Sequence, residues 1–173
     1  MLRYSPWRQS AFSASAFHQD APPARAPAWY NAWYEQKMDR SADISSTVSA
    51  FVDEVNSGRI EAALARFTGD VTIVEDLAPY RWQGLDAGSQ WLTAMAANAE
   101  RLGVTAVVMD LGKAQRIEVE GATGYAIFAG TVLLKGVDET LREAGLLTFA
   151  LERQSDAWLI AAMTWTGERP TNL

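Results

Sequence analysis

The sequence contains no cysteine and a single histidine, His18. A disulfide framework, a thiolate nucleophile and a thiolate metal site are therefore excluded, and one imidazole cannot make a multi-histidine metal centre. Sites for Mg or Ca built only from carboxylates stay open. Basic charge is also scarce: 15 Lys and Arg stand against 21 Asp and Glu, giving a formal net charge of −6. Nucleic-acid binders gather Lys and Arg on one face to track phosphates, and no such cluster occurs, so a nucleic-acid partner is not expected. No apolar run approaches the roughly 20 residues that cross a bilayer, and the N-terminus lacks the apolar core of a secretory signal. The expectation is a cytoplasmic protein without a membrane partner. No G-x-G-x-x-G stands in the Gly121 to Gly130 region, which removes the usual dinucleotide fingerprint. No cofactor or metal is expected.

What is present is a chain of 173 residues, 49% hydrophobic, enough to bury the core of one domain. Residues 1–37 differ from the rest. They hold Pro6, Pro22, Pro23 and Pro27, much Ser and Ala, and four basic against two acidic residues, so the remainder is more acidic than the whole. We read 1–37 as an N-terminal extension and 38–173 as the domain. Three origins fit the extension: an upstream start added before Met38, a flexible or docked arm, or an organelle transit peptide whose apolar face is broken. Within it Trp29, Trp33 and Lys37 recur at helical spacing beside Tyr30 and Tyr34, which predicts a short aromatic helix.

From Ser45 the stripe Val48, Phe51, Val52 and Val55 predicts a helix closing at Asn56-Ser57-Gly58. A second short helix is expected through Ile60, Ala63, Leu64 and Phe67, ending at Gly69. Val71 to Asp76 then alternates as a strand, with Thr72, Val74 and Asp76 on one face and Val71, Ile73 and Glu75 on the other. Pro79 ends regular structure and Gly84 turns the chain. A third helix from about Asp86 to Leu102 carries Trp91, Leu92 and Met95. Four strands follow, separated by Glu120-Gly121, Gly136-Val137-Asp138 and Gln154-Ser155-Asp156. Both alternating faces of the Tyr125 to Leu134 strand are mainly apolar, so both need cover. Helices on one side and a second subunit on the other supply it, and a homodimer through the sheet is expected.

The order helix, helix, strand, helix, long meander, together with VSAFVDEVNSGRIEAALARFTGDVTIVED, Gly84 and the final LLTFALERQSDAWLIAAMTWTG, resembles the nuclear transport factor 2-like superfamily, also called SnoaL-like or ketosteroid isomerase-like. The resemblance covers about Ser45 to Glu168. It implies an α+β, cystatin-like fold in which a cone-shaped, curved antiparallel sheet wraps three N-terminal helices around a pocket. It spans isomerases, dehydratases, cyclases and silent binding domains, so it does not select among them.

By that resemblance Asp76, in Val74-Glu75-Asp76-Leu77, matches the proton-shuttling carboxylate of ketosteroid isomerases. The two oxyanion-donor positions match Phe51 and about Leu147, which carry no donor. Losing one such donor typically costs about 10²–10³ in rate, so ordinary ketosteroid isomerisation does not transfer. Dehydratase and cyclase mechanisms that use histidine in the last strand meet Thr164-Trp165-Thr166 here. The epoxide hydrolase Asp-Arg-Asp pattern meets Val108 before Asp110.

The candidate site is accordingly Asp76 as general base with Tyr80, or alternatively Tyr125, as a substitute hydroxyl donor. Phe51, Trp82, Met109, Tyr125, Leu147 and Trp165 are candidate walls for a small apolar molecule. Each has a plainer alternative: Asp76 satisfying backbone donors in its turn, the rings and thioether packing the core. Glu75, on the opposite strand face, reads as solvated or interfacial. Arg142 reads as an exposed strand cation, and His18 lies outside the domain. Two functions remain: a cofactor-independent isomerase, lyase or hydrolase of mostly apolar substrates, or a non-catalytic hydrophobic-ligand-binding or dimerisation module.

Overall fold

A computed structural model describes residues 26–173. His18 and most of the expected N-terminal extension lie outside the described residues. The first element is one helix, α1 (Ala28–Asn56), where the sequence suggested a short aromatic helix and a separate one from Ser45. Nothing between Lys37 and Ser45 is a Pro or Gly, so no residue stops the helix. Ser41 bonds back within it, donating from Oγ to the Lys37 carbonyl at 2.9 Å. The N-terminal half presents Trp29 and Trp33 to solvent, while Ile44, Val48, Phe51 and Val52 are buried. That stripe follows the helical period and faces the sheet.

Gly58 ends the helix turn with φ +70, a conformation other side chains resist. Next come α2 (Ile60–Leu64), β1 (Phe67–Val74), β2 (Arg81–Gln83) and α3 (Ala87–Arg101). Phe67, expected in the second helix, instead opens β1, because it pairs in register with Ile160 and its ring is buried beside Phe51. β2 was not expected. It exists because Ile73 and Val74 pair antiparallel with Trp82 and Arg81, so the segment between Glu75 and Tyr80 is a tight reversal. Glu54 of α1 accepts two bonds from Arg66, at 2.7 and 3.0 Å, tying α1 to the entry of β1.

Four long strands follow: β3 (Ala106–Glu120), β4 (Thr123–Lys135), β5 (Thr140–Gln154) and β6 (Ala157–Gly167), joined by the turns expected. A short β7 (Thr171–Asn172) pairs with β5. The sheet order is β2-β1-β6-β5-β4-β3. All neighbours are antiparallel except β1 and β6, which are parallel, so the curved sheet is mixed and not purely antiparallel. Its inner face carries Ala126, Phe128 and Val132 from β4, Leu147, Phe149 and Leu151 from β5, and Ile160, Met163 and Trp165 from β6, all buried. Each of the Val, Leu, Ile, Phe and Met side chains among them contributes about 1.5–3 kcal/mol when fully removed from water. α1 crosses this face very closely: a Cβ added at Gly124 would lie 2.5 Å from Ile44 Cδ1. α3 packs against β1 and β2, so the cone is open where α3 passes β3.

Candidate functional site

β1 delivers the acids. Val71 and Ile73 are buried at 1% and 0% exposure, so the inward face of the strand continues to Glu75. The alternation read from sequence is therefore correct, but the inner face is the one carrying Glu75. Glu75, which the sequence assigned to solvent or an interface, is half-buried, whereas Asp76 is exposed and stands at the rim.

A cavity of about 100 Å³ sits at this end of the cone, bordered by Glu75, Asp76, Trp91, Met109, Glu143, Leu147 and Trp165, among others. No Lys, Arg or His is among its described lining residues. Two indoles hold two of the acids. Trp91 Nε1 of α3 donates to Glu75. Trp165 Nε1 of β6 donates to Glu143 of β5 at 2.8 Å. Loss of hydration pushes the Glu75 carboxyl up to about 7, a rise that Asp76 and Glu143 add to by charge repulsion and that the Trp91 bond opposes. Glu143 is raised as well, first by burial and then by Asp76, against the bond from Trp165. A carboxyl raised towards neutrality in mostly apolar walls has the proton affinity that general acid–base chemistry requires. Among the described residues no group of three His, Cys, Asp or Glu converges in a way that could hold a metal ion.

The structure brings Asp76, Met109, Leu147 and Trp165 together on this cavity. Four other candidates are elsewhere. Phe51 is fully buried behind the wall, its ring centroid 6.4 Å from that of Trp91 and 5.1 Å from that of Phe67. Trp82 is a core residue opposite Ile73, because β2 turns its ring inward. Tyr80 is 62% exposed with φ +72 and does not border the cavity. Its backbone closes the reversal, its N–H donating to the Leu77 carbonyl at 2.8 Å and its carbonyl accepting from Glu75 N at 3.2 Å. Tyr125 lies at the opposite end of β4, beside Trp33, Lys37 and Arg40 of α1. Arg142 is an exposed strand cation whose Nη2 donates to Thr131 at 3.3 Å.

Sequence reasoning missed Glu143 and undervalued Glu75. A signal for both was present: Glu143 shares strand parity with Leu147, Phe149 and Leu151, as Glu75 does with Val71 and Ile73. An acid in phase with a buried apolar row is desolvated or partnered.

No curated protein matches the sequence. Solved structures match it in fold. A hexachlorocyclohexane dehydrochlorinase, LinA-type3 from Novosphingobium barchaimii, is similar with a TM-score of 0.65 at 14% identity, over 79% of this chain and 91% of that one. An NTF2-like protein with a cystatin-like fold from Novosphingobium aromaticivorans is similar with a TM-score of 0.66 at 15% identity, over 80% of this chain and 88% of that one. At such identities the likeness shows the fold alone. The SnoaL-like domain model matches residues 36–164, which is most of the chain. The chain, whose fold is that of an NTF2-like, cystatin-like structure, therefore belongs to the SnoaL-like domain family.

Proposed function

We propose that the protein is a cofactor-independent enzyme that moves a proton on a small, mostly apolar molecule, with Glu75 as the general base and acid. The observation that carries this reading is a carboxyl raised to about 7 on a small, largely apolar cavity. A general base works best when its pKa is close to the working pH, and desolvation is the usual means of lifting a carboxyl there. Asp76, the base expected from sequence, borders the same cavity from its rim; in this reading its charge raises Glu75 and it does not itself take the proton. The reaction class is abstraction of a C–H proton followed by its return elsewhere or by loss of a leaving group. The dehydrochlorinase among the fold relatives is named for an elimination of this class, which is compatible with the proposal.

The test is deuterium exchange into a panel of small cyclic ketones in heavy water, followed by NMR. Glu75→Gln is expected to slow exchange by about 10²–10⁴. Asp76→Asn is expected to change the pH dependence more than the maximum rate. The reverse order of effects would make Asp76 the base, and equal rates for all three proteins would overturn catalysis at this site.

The second reading is a non-catalytic ligand-binding or dimerisation module. It is favoured by the small volume of the cavity, about 100 Å³, and by the burial of Phe51 and Leu147 inside the cone. For the outer face of the sheet, the proposed partner is a second copy. Leu146 is exposed there, with Ile127, Ala129 and Leu133 only partly covered. Sedimentation of Leu146→Arg, expected to be monomeric against a dimeric wild type, tests it.

A further inference from the structure

The cavity is too small to be the whole site. Ligand pockets usually enclose about 300–1,000 Å³. Behind it, along the opening between α3 and β3, runs a groove of about 490 Å³ whose walls include Leu92, Thr93, Ala96 and Val55. Trp91, Met95, Val107 and Met109 border both spaces, so the two share one wall. Two of those four side chains are methionines, unbranched and readily repacked.

The backbone on the β3 side of the wall is fixed independently of those side chains. Asn56, at the end of α1, donates from Nδ2 to the Met109 carbonyl at 2.7 Å and accepts at Oδ1 from Met109 N at 2.9 Å. The main chain at Met109 is thus clamped by bonds that do not involve its unbranched thioether side chain. The groove reaches Ile60 at one end, and the carboxylates lie across the shared wall, on the cavity side.

We infer that the groove is the binding site for the apolar tail of the same ligand, and that the Met95 and Met109 side chains are the movable partition through which the tail joins the reacting head. This rests on the proposed proton-transfer reading for the head and extends it to the substrate class: an elongated molecule with a neutral or hydrogen-bond-donating head and a linear or narrow hydrocarbon portion. Anionic heads are disfavoured by Glu75, Asp76 and Glu143. The shared wall and the volume deficit carry the inference, and neither depends on which carboxylate takes the proton.

The test is calorimetric titration of the full chain with linear primary alcohols from butanol to decanol, whose hydroxyl donates to a carboxylate. Wild type is expected to gain about fourfold in affinity per added methylene until the groove is filled. Ala96→Trp, at an exposed groove position outside the cavity, is expected to remove the gain for the longer alcohols and leave butanol unchanged. Thr93→Trp serves the same purpose if Ala96→Trp fails to fold. Affinity independent of chain length, or an unchanged series in the folded Trp variant, overturns the inference. A chain-length dependence that disappears as protein concentration rises marks the groove as covered by a second copy, and overturns it too. Glu75→Gln is expected to keep the chain-length dependence, so failure of the base assignment and failure of the groove are read separately.

Discussion

Trp91 donates its indole hydrogen to Glu75, and so the first half of α3 holds the acid that β1 delivers. The bond opposes burial by favouring the charged carboxylate, whereas burial and the charges of Asp76 and Glu143 favour the neutral acid. The poise of Glu75 therefore depends on two elements that meet only in the folded cone.

Removing that donor has a defined sign. Trp91→Phe keeps an aromatic wall but takes away the interaction that lowers the Glu75 pKa, so the carboxyl rises beyond about 7. If Glu75 is the base, the rising limb of kcat/KM against pH moves to higher pH in Trp91→Phe and to lower pH in Asp76→Asn. A pH profile from both variants checks the pair of shifts, and movement of both in one direction contradicts the assignment.

Stability against pH follows from the same group. The folded-state pKa of Glu75, about 7, lies above its ordinary value of 4.5, so the folded protein binds this proton more tightly than the unfolded chain. The contribution is complete below about 4.5 and is lost as pH rises through 7. The full loss is on the order of 3 kcal/mol. Urea unfolding of wild type should show this decline, and Glu75→Gln should flatten it.

Asn56 clamps β3 to the end of α1 through two hydrogen bonds to Met109. Asn56→Ala is expected to cost about 0.5–1.5 kcal/mol, since it removes both partners of one residue's backbone groups at an exposed edge where water can replace them. Asn56→Asp keeps the acceptor but sets a carboxylate oxygen against the Met109 carbonyl, so it should not rescue. Chemical denaturation of the two variants is the measurement.

Gly88 marks where α3 sits on the entry of β1. An added Cβ would lie 2.7 Å from Leu64 Cδ2 and 2.8 Å from Phe67 Cδ2. Gly88→Ala would push α3 outward and is expected to cost about 1–3 kcal/mol despite the higher helix propensity of alanine. Because Trp91 lies one turn further along the helix, the same change should shift the pH profile of kcat/KM. A thermal melt alongside that profile separates the two effects.

Much of the architecture was legible because it is local. The stripe through Val48, Phe51 and Val52, the turns at Gly121, Gly136 and Ser155, and the alternation in Val71 to Glu75 all follow from period and turn chemistry within a few residues. Where the reading departed from the structure, the deciding contacts were distant. β2 exists through pairing with β1, Phe67 is a strand residue because Ile160 lies beside it, and β1 runs parallel to β6 across some ninety residues of chain. No local pattern encodes such pairing.

The sequence by itself determined a chain without thiol or multi-histidine chemistry, a SnoaL-like order of elements, and a pair of acids at the end of the first strand. Alternation alone also placed Glu75 and Asp76 on opposite faces. Only the tertiary structure decided which face is inside, brought Glu143 across from β5, and supplied Trp91 and Trp165 as donors. The physical reason is that desolvation and charge repulsion act through space. A carboxyl's proton affinity is a property of the cavity that surrounds it, and that cavity is assembled from β1, α3, β3, β4, β5 and β6 together.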